Sequence, residues 1–170
     1  GDATGMDNQR FAGILDELCS VDYLDTLLVS LNRASVEDYH RAVRFFERYP
    51  KRQVILWSES PSVQEFLARM EAAGLSVGCP GKGRACWLAM GFLLAEERAD
   101  YFAFFDADIV NFRREMLARL VLPALDPIVD YDFVKAYYAR FSDRLHGRVT
   151  RLYVAPLLSA FRRLIGSDPF

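Results

Sequence analysis

The chain predicts an α/β architecture with a largely parallel sheet flanked by helices, and three observations carry that expectation. Short apolar runs alternate with amphipathic helical stretches through the first two thirds of the sequence. The joints between them hold Pro, Gly, Ser and Asn. At 170 residues and 52% hydrophobic content, the chain is long enough for one substantial core and short for two.

Residues 1–8 are small and polar, so a loop or frayed end is expected there. Phe11, Ile14, Leu15 and Leu18 recur at helical spacing and predict an amphipathic helix over residues 10–19. Residues 24–31, rich in Leu and Val, read as a buried strand. Ser35 is the expected N-cap of a helix whose Tyr39, Val43 and Phe46 share a face, ending before Pro50. Residues 53–57 give a second strand, with Ser62 capping a helix that carries Val63, Phe66, Leu67 and Met70 and stops at Gly74. A short strand over residues 75–77 leads into the tight loop Cys79-Pro80-Gly81-Lys82-Gly83 and an apolar helix over residues 84–98, read as a core helix with Trp87 inside.

Tyr101 to Phe105, apolar throughout, then predict a buried strand that delivers Asp106-Ala107-Asp108 to the carboxyl edge of the sheet. Beyond it the pattern gives a helix over residues 113–120, a strand over 133–138, a loop at 147–150 and a helix over 152–165.

Net charge is −2, so no global field draws the chain to nucleic acid or to an anionic membrane. The longest apolar run, residues 85–95, is far below the ~20 residues of a membrane span, and no transmembrane segment is expected. Cys19, Cys79 and Cys86 are odd in number and lack metal-ligand spacing, which points to reduced thiols in a cytoplasmic protein. One stretch departs from the mean: residues 135, 140, 144, 148, 151, 162 and 163 are Lys or Arg against the single acid Asp143, a suitable surrounding for an anion.

On an extended segment Asp106 and Asp108 leave the same face, with Ala107 opposite. Two oxygen ligands so placed suit Mg²⁺ or Mn²⁺, which complete their shells with water and phosphate oxygens. The plain alternative is a helix N-cap and a solvated strand end. Lys82 between two glycines is too short a pattern for a Walker A loop, yet amides at a helix start beside an ammonium attract phosphate. Otherwise it is a turn with an exposed lysine. Gly147, Arg148 and Thr150, with Arg151 behind, would make an anion cradle, or else a solvated loop. Ser58 and Glu59 close a strand and could touch a ribose or base, though turn formation explains them as well. His146 has no evident partner, His40 is given no role, and no Ser-His-Asp or Cys-His set can be assembled.

Taken in order, Gly81-Lys82-Gly83-Arg84, then Phe105-Asp106-Ala107-Asp108-Ile109-Val110, then Val134-Lys135-Ala136-Tyr137-Tyr138-Ala139-Arg140, then Gly147-Arg148-Val149-Thr150-Arg151-Leu152 resemble the glucosyl-3-phosphoglycerate synthase family. These are retaining glycosyltransferases of GT-A fold, related to the mannosylglycerate synthases. The resemblance covers roughly residues 24–164 and implies one nucleotide-sugar-binding domain over 1–170. It implies transfer of glucose or mannose from a UDP- or GDP-sugar to 3-phosphoglycerate or a similar small anionic acceptor. By the same resemblance Lys82, Asp106, Ala107 and Asp108 bind the donor. It further implies Asp108 as the direct ligand of Mg²⁺ or Mn²⁺, with Asp106 nearer the ribose or sugar, and Gly147, Arg148 and Thr150 as the holders of the acceptor's phosphate or carboxylate. No catalytic nucleophile is named. The oligomeric state is not read from the sequence, a homodimer being the assembly considered.

Family members begin with a strand ending over the nucleobase and carry a late metal-binding histidine. No apolar strand precedes Arg10, and the chain stops at Phe170, so it reads as an excerpt. A second reading takes Asp106 and Asp108 as nucleophile and general acid of a haloacid dehalogenase-type phosphatase, although the motif lies late for that family. A third is a binding module without catalysis.

Overall fold

The computed structural model describes residues 9–107, 109, 111–128, 131–136 and 153–165. The chain divides into two compact units, Gly1–Asp132 and Phe133–Phe170. In the first, the order is α1 (Gln9–Cys19), β1 (Thr26–Leu31), α2 (Val36–Phe46), β2 (Arg52–Trp57), α3 (Pro61–Ala72), α4 (Lys82–Ala95) and α5 (Arg114–Leu125). The second contains α6 (Ala155–Ile165), led in by a π-helical turn at residues 153–154.

Strands β1 and β2 pair in parallel, Thr26 opposite Arg52 through Leu31 opposite Trp57. Alternation splits their side chains between two faces. Leu27, Val29 and Leu31, with Ile55 and Trp57, pack against Leu15 of α1 and Ala42 and Phe46 of α2. On the other face Leu56 joins Leu67 of α3, Leu88 of α4 and Val77 from the segment between those helices. Helices thus cover both faces of a parallel pair, the arrangement expected of an α/β chain. A third cluster, Val21, Phe112 and Leu117, joins α5 to the end of α1 through Ile14, Leu18 and Leu24.

Local chemistry sets the element ends. Ser35 caps α2 as expected, in a full capping box with Asp38. The cap of α3 is Ser60 rather than Ser62: Ser60 Oγ accepts from Val63 N, and Pro61 at the first helical position already has the φ a helix needs. Gly74 takes φ +78°, its amide reaching Glu71 O at 2.9 Å and that of Leu75 reaching Met70 O at 3.0 Å, so α3 ends in a Schellman motif. Lys51 Nζ closes the turn between α1 and β1 by donating to the carbonyls of Val21, Asp22 and Leu24.

Several expectations are corrected. Residues 75–77 join no sheet: Val77 is buried between α3 and α4, while Leu75 stands exposed. Helix α4 starts two residues early, placing Lys82 and Gly83 inside it. From Ala85 onward it is apolar on every side, yet only Ala85, Leu88 and Ala89 are buried. Trp87 is 41% exposed and stacks on Phe66 of α3 with ring centroids 6.5 Å apart.

Tyr101 to Phe105 is not a buried strand. It carries no ladder, and Tyr101 and Phe104 are exposed. Phe105 turns instead to meet Phe112 edge-on at 5.2 Å, trading strand pairing for the third cluster. Helix α5 runs five residues past its expected end, through Pro123, whose missing N–H costs one helical bond near the terminus. Residues 133–136 form no strand, and 137–138 and the loop 147–150 lie outside the described residues. No helix among the described residues is long and apolar enough to cross a membrane.

Candidate donor-binding edge

The orientation of α4 decides where Lys82 sits. Arg52, which starts β2, pairs with Glu96 at the carboxyl end of α4 at 2.6 Å. Arg98, two residues on, pairs with Asp25 ahead of β1 at 3.3 Å. Helix α4 packs on β1 and spans about 20 Å at ~1.5 Å per residue, close to the length of a six-residue strand. Its amino end therefore lies at the carboxyl ends of β1 and β2, where parallel sheets hold ligands.

At that end Lys82 Nζ donates to Asp106 Oδ1, joining residues 24 positions apart in sequence. The pair is open to solvent, with the side chains 75% and 43% exposed. Gly81 makes no side-chain cap bond to the first amides of α4, the end of a helix at which backbone donors lack intrahelical partners. An anion meeting this corner finds backbone donors and a cation; a cation finds the Asp106 carboxylate. Ala107 follows in a turn.

Asp106 supplies oxygen donors in a half-exposed position, the ligand chemistry that Mg²⁺ or Mn²⁺ takes. Among the described residues no group of three or more His, Cys, Asp or Glu forms a metal cage. Asp108, Gly147, Arg148 and Thr150, with His146, lie outside the described residues. Of the expected donor set, the structure brings Lys82 and Asp106 together.

The same edge holds a second arrangement, between the loops that end β1 and β2. Ser58, buried, donates through Oγ to Asn32 Oδ1 at 2.5 Å and through its amide to Leu31 O at 2.9 Å. The Glu59 carboxylate accepts from Arg33 N at 2.9 Å and Ala34 N at 3.4 Å. Trp57 Nε1 donates to Ala34 O at 3.1 Å, its ring stacked on Tyr39 at 5.2 Å. Ser58 and Glu59 are thus turn-building residues, as the simpler expectation had it. Asn32 and Arg33 were not singled out by sequence; the available signal was their place at the end of a parallel strand.

A surface groove of about 510 Å³ lies elsewhere, lined by Asp16, Glu17, Ser20, Arg113, Arg114 and Glu115. Glu17 there accepts from the Arg114 amide and the Arg113 guanidinium, both at 3.0 Å, supplying from α1 the cap that Arg113 cannot give α5. The amide first and the guanidinium second hold its carboxyl below the usual glutamate range. The groove is a structural joint between α1 and α5. Cys19, Cys79 and Cys86 are free thiols.

A parallel strand pair covered by helices, with Lys82 and Asp106 meeting beside it, defines the class, an α/β protein. Comparison with known proteins makes this particular: residues 55–156 match the family model "Mannosylglycerate synthase, GT domain", and the chain belongs to that family of glycosyltransferase domains. Two relatives carry the name glucosyl-3-phosphoglycerate synthase. That from Persephonella marina is 37% identical over 157 residues, covering 92% of this chain and 39% of the relative. That from Methanococcoides burtonii is 29% identical over 167 residues, covering 96% and 41%. The chain thus spans about two fifths of the length of these relatives. No solved structure matches it significantly.

Proposed function

We propose that this chain forms the nucleotide-sugar-binding part of a retaining GT-A glycosyltransferase that moves glucose or mannose from a UDP- or GDP-sugar to 3-phosphoglycerate or a similar small anion. The observation that carries the reading is the meeting of Lys82 with Asp106 at the carboxyl edge, at the first turn of α4, which Gly81 leaves without a side-chain cap. The family match and the names of the two relatives support the transfer reaction and the acceptor. They give no support to a phosphatase of the haloacid dehalogenase type.

In this reading the start of α4 and the Lys82 ammonium bind the donor's diphosphate, and Asp106 and Ala107 lie along its sugar side. Asp106 and Asp108 would hold Mg²⁺ or Mn²⁺, which would stabilise charge on the departing nucleoside diphosphate. With a diphosphate and a cation bound, the Lys82 ammonium would pair with the phosphate and Asp106 Oδ1 would be free to serve the cation. Gly147, Arg148 and Thr150 take the acceptor's phosphate or carboxylate, fixing its hydroxyl for attack.

Calorimetric titration with UDP and GDP, with and without Mn²⁺, tests the donor half. Metal-dependent binding of one nucleotide is expected. Binding that is indifferent to metal, and to Asp108→Ala, would remove the cation from the reading. Transfer of radiolabelled glucose to 3-phosphoglycerate, assayed on the full-length protein, tests the rest.

A further inference from the structure

Arg33 stands in the left-handed region at φ +56°, a conformation that costs a residue with a side chain and that glycine takes freely. Among the described residues no hydrogen bond or ion pair of its own side chain accounts for the choice. The explanation comes from across the sheet. With Arg33 left-handed, its amide and that of Ala34 turn the same way and form a small concave pair of donors, the backbone feature that elsewhere receives anions. Here the anion is internal: the Glu59 carboxylate, one oxygen to each amide, at 2.9 and 3.4 Å. The Asn32–Ser58 bond and the Trp57 indole on Ala34 O close the loop on either side.

We infer that Glu59 is the positioning residue of the donor site, a carboxylate clamp that holds the Asn32–Ala34 loop in one conformation at the edge where the nucleotide lies. The inference rests on the donor reading above and adds to it a group that touches no ligand. Glu59 is exposed and comes from a different strand end, so its work is to lock one loop against the other rather than to fill the core. A preformed loop spares the ordering cost that a mobile one would charge against nucleotide affinity. By filling the two-amide concavity, Glu59 also keeps phosphate out of it and leaves the start of α4 as the anion site.

The test uses the 170-residue chain in four forms: wild type, Glu59→Ala, Glu59→Gln and the double variant Glu59→Ala with Arg33→Gly. Two quantities are read, amide hydrogen exchange at residues 33 and 34 and the affinity for UDP or GDP with Mn²⁺. Glu59→Ala is expected to speed exchange at those amides about tenfold, with the β2 amides unchanged, and to weaken nucleotide binding about tenfold. Glu59→Gln keeps a carbonyl acceptor and should restore most of the protection. Arg33→Gly in the Glu59→Ala background should recover affinity, because glycine adopts the left-handed turn unaided.

Unchanged exchange at residues 33 and 34 in Glu59→Ala overturns the clamp. Faster exchange with undiminished affinity overturns its role toward the nucleotide. A wild-type chain that binds neither nucleotide defeats the donor reading instead, and the exchange arm then decides the clamp by itself.

Discussion

Replacing Lys82 by Met separates the site from the scaffold. Met matches Lys in helix propensity and length, so α4 should start where it does now. The lost ion pair is mostly solvated, and pairs of that kind contribute about 0–1 kcal/mol, which for a chain of this size shifts Tm by roughly 4 °C at most. The effect on a bound diphosphate is larger. An ammonium and a phosphate charge about 4 Å apart attract by about 4 kcal/mol at a near-surface effective dielectric and about 1 kcal/mol in bulk water. With Lys82 three-quarters exposed, the contribution falls toward the lower figure, about 1–2 kcal/mol, or roughly tenfold in affinity. Calorimetry with UDP and GDP in the presence of Mn²⁺ reads that factor, and Lys82→Arg should recover most of it by keeping the charge. A Lys82→Met chain that melts normally and binds nucleotide as tightly as wild type would refute the assignment of Lys82 to the donor. A chain that fails to fold would show that the ion pair belongs to the scaffold.

Leu15, fully buried between α1, α2 and the sheet, should cost about 3 kcal/mol when cut to Ala, a fall of roughly 6–12 °C in Tm by calorimetry. Gly74→Ala meets no atom within 4 Å, so its cost is the left-handed backbone alone, about 1 kcal/mol in a denaturant melt. A loss three times larger would mean that the turn is packed rather than merely bent. The Glu17 carboxyl is held below its ordinary 4.5 and the Asp25 carboxyl below 3.8, Asp25 by the Thr26 hydroxyl first and Arg98 next. Both bind protons more weakly folded than unfolded, so their contribution is complete above those ordinary values and is lost as pH falls through the folded ones; a Tm that stays flat on acidification would contradict this. Burial pushes the Tyr49 phenol up from 10.0 to about 12, so its proton is held more tightly in the folded state and stability should decline as pH climbs between those values.

Much of the first unit was legible in the residues because its signals are local. The 3.6-residue recurrence of Phe11, Ile14, Leu15 and Leu18 gave α1, the Ser35 box gave the start of α2, and the Leu/Val run and Val-Ile-Leu-Trp gave the two strands within two residues of their ends. Local signals also misled. Ser62 and Ser60 are equally good caps by type, and Pro61 between them decides for Ser60. The aromatic run at 101–105 has the composition of a strand, but a strand exists only where a neighbour supplies its ladder, and Phe105 found Phe112 instead.

The site divides along the same line. Lys82 and Asp106 could each be picked out by residue type and company, and the sequence by itself determined the kind of chemistry they offer, an ammonium at a helix start and a carboxylate after an apolar run. That they touch, and that they do so at the carboxyl edge, was decided by the antiparallel course of α4, which Arg52–Glu96 and Arg98–Asp25 fix from the far end. The Glu59 bonds to the Arg33 and Ala34 amides had no sequence signature at all, because a backbone donor carries no residue identity and the partners stand 26 and 25 positions apart. Residue chemistry is written in the chain one position at a time, whereas proximity arises only when the packed faces of β1 and β2 bring distant loop ends to the same edge.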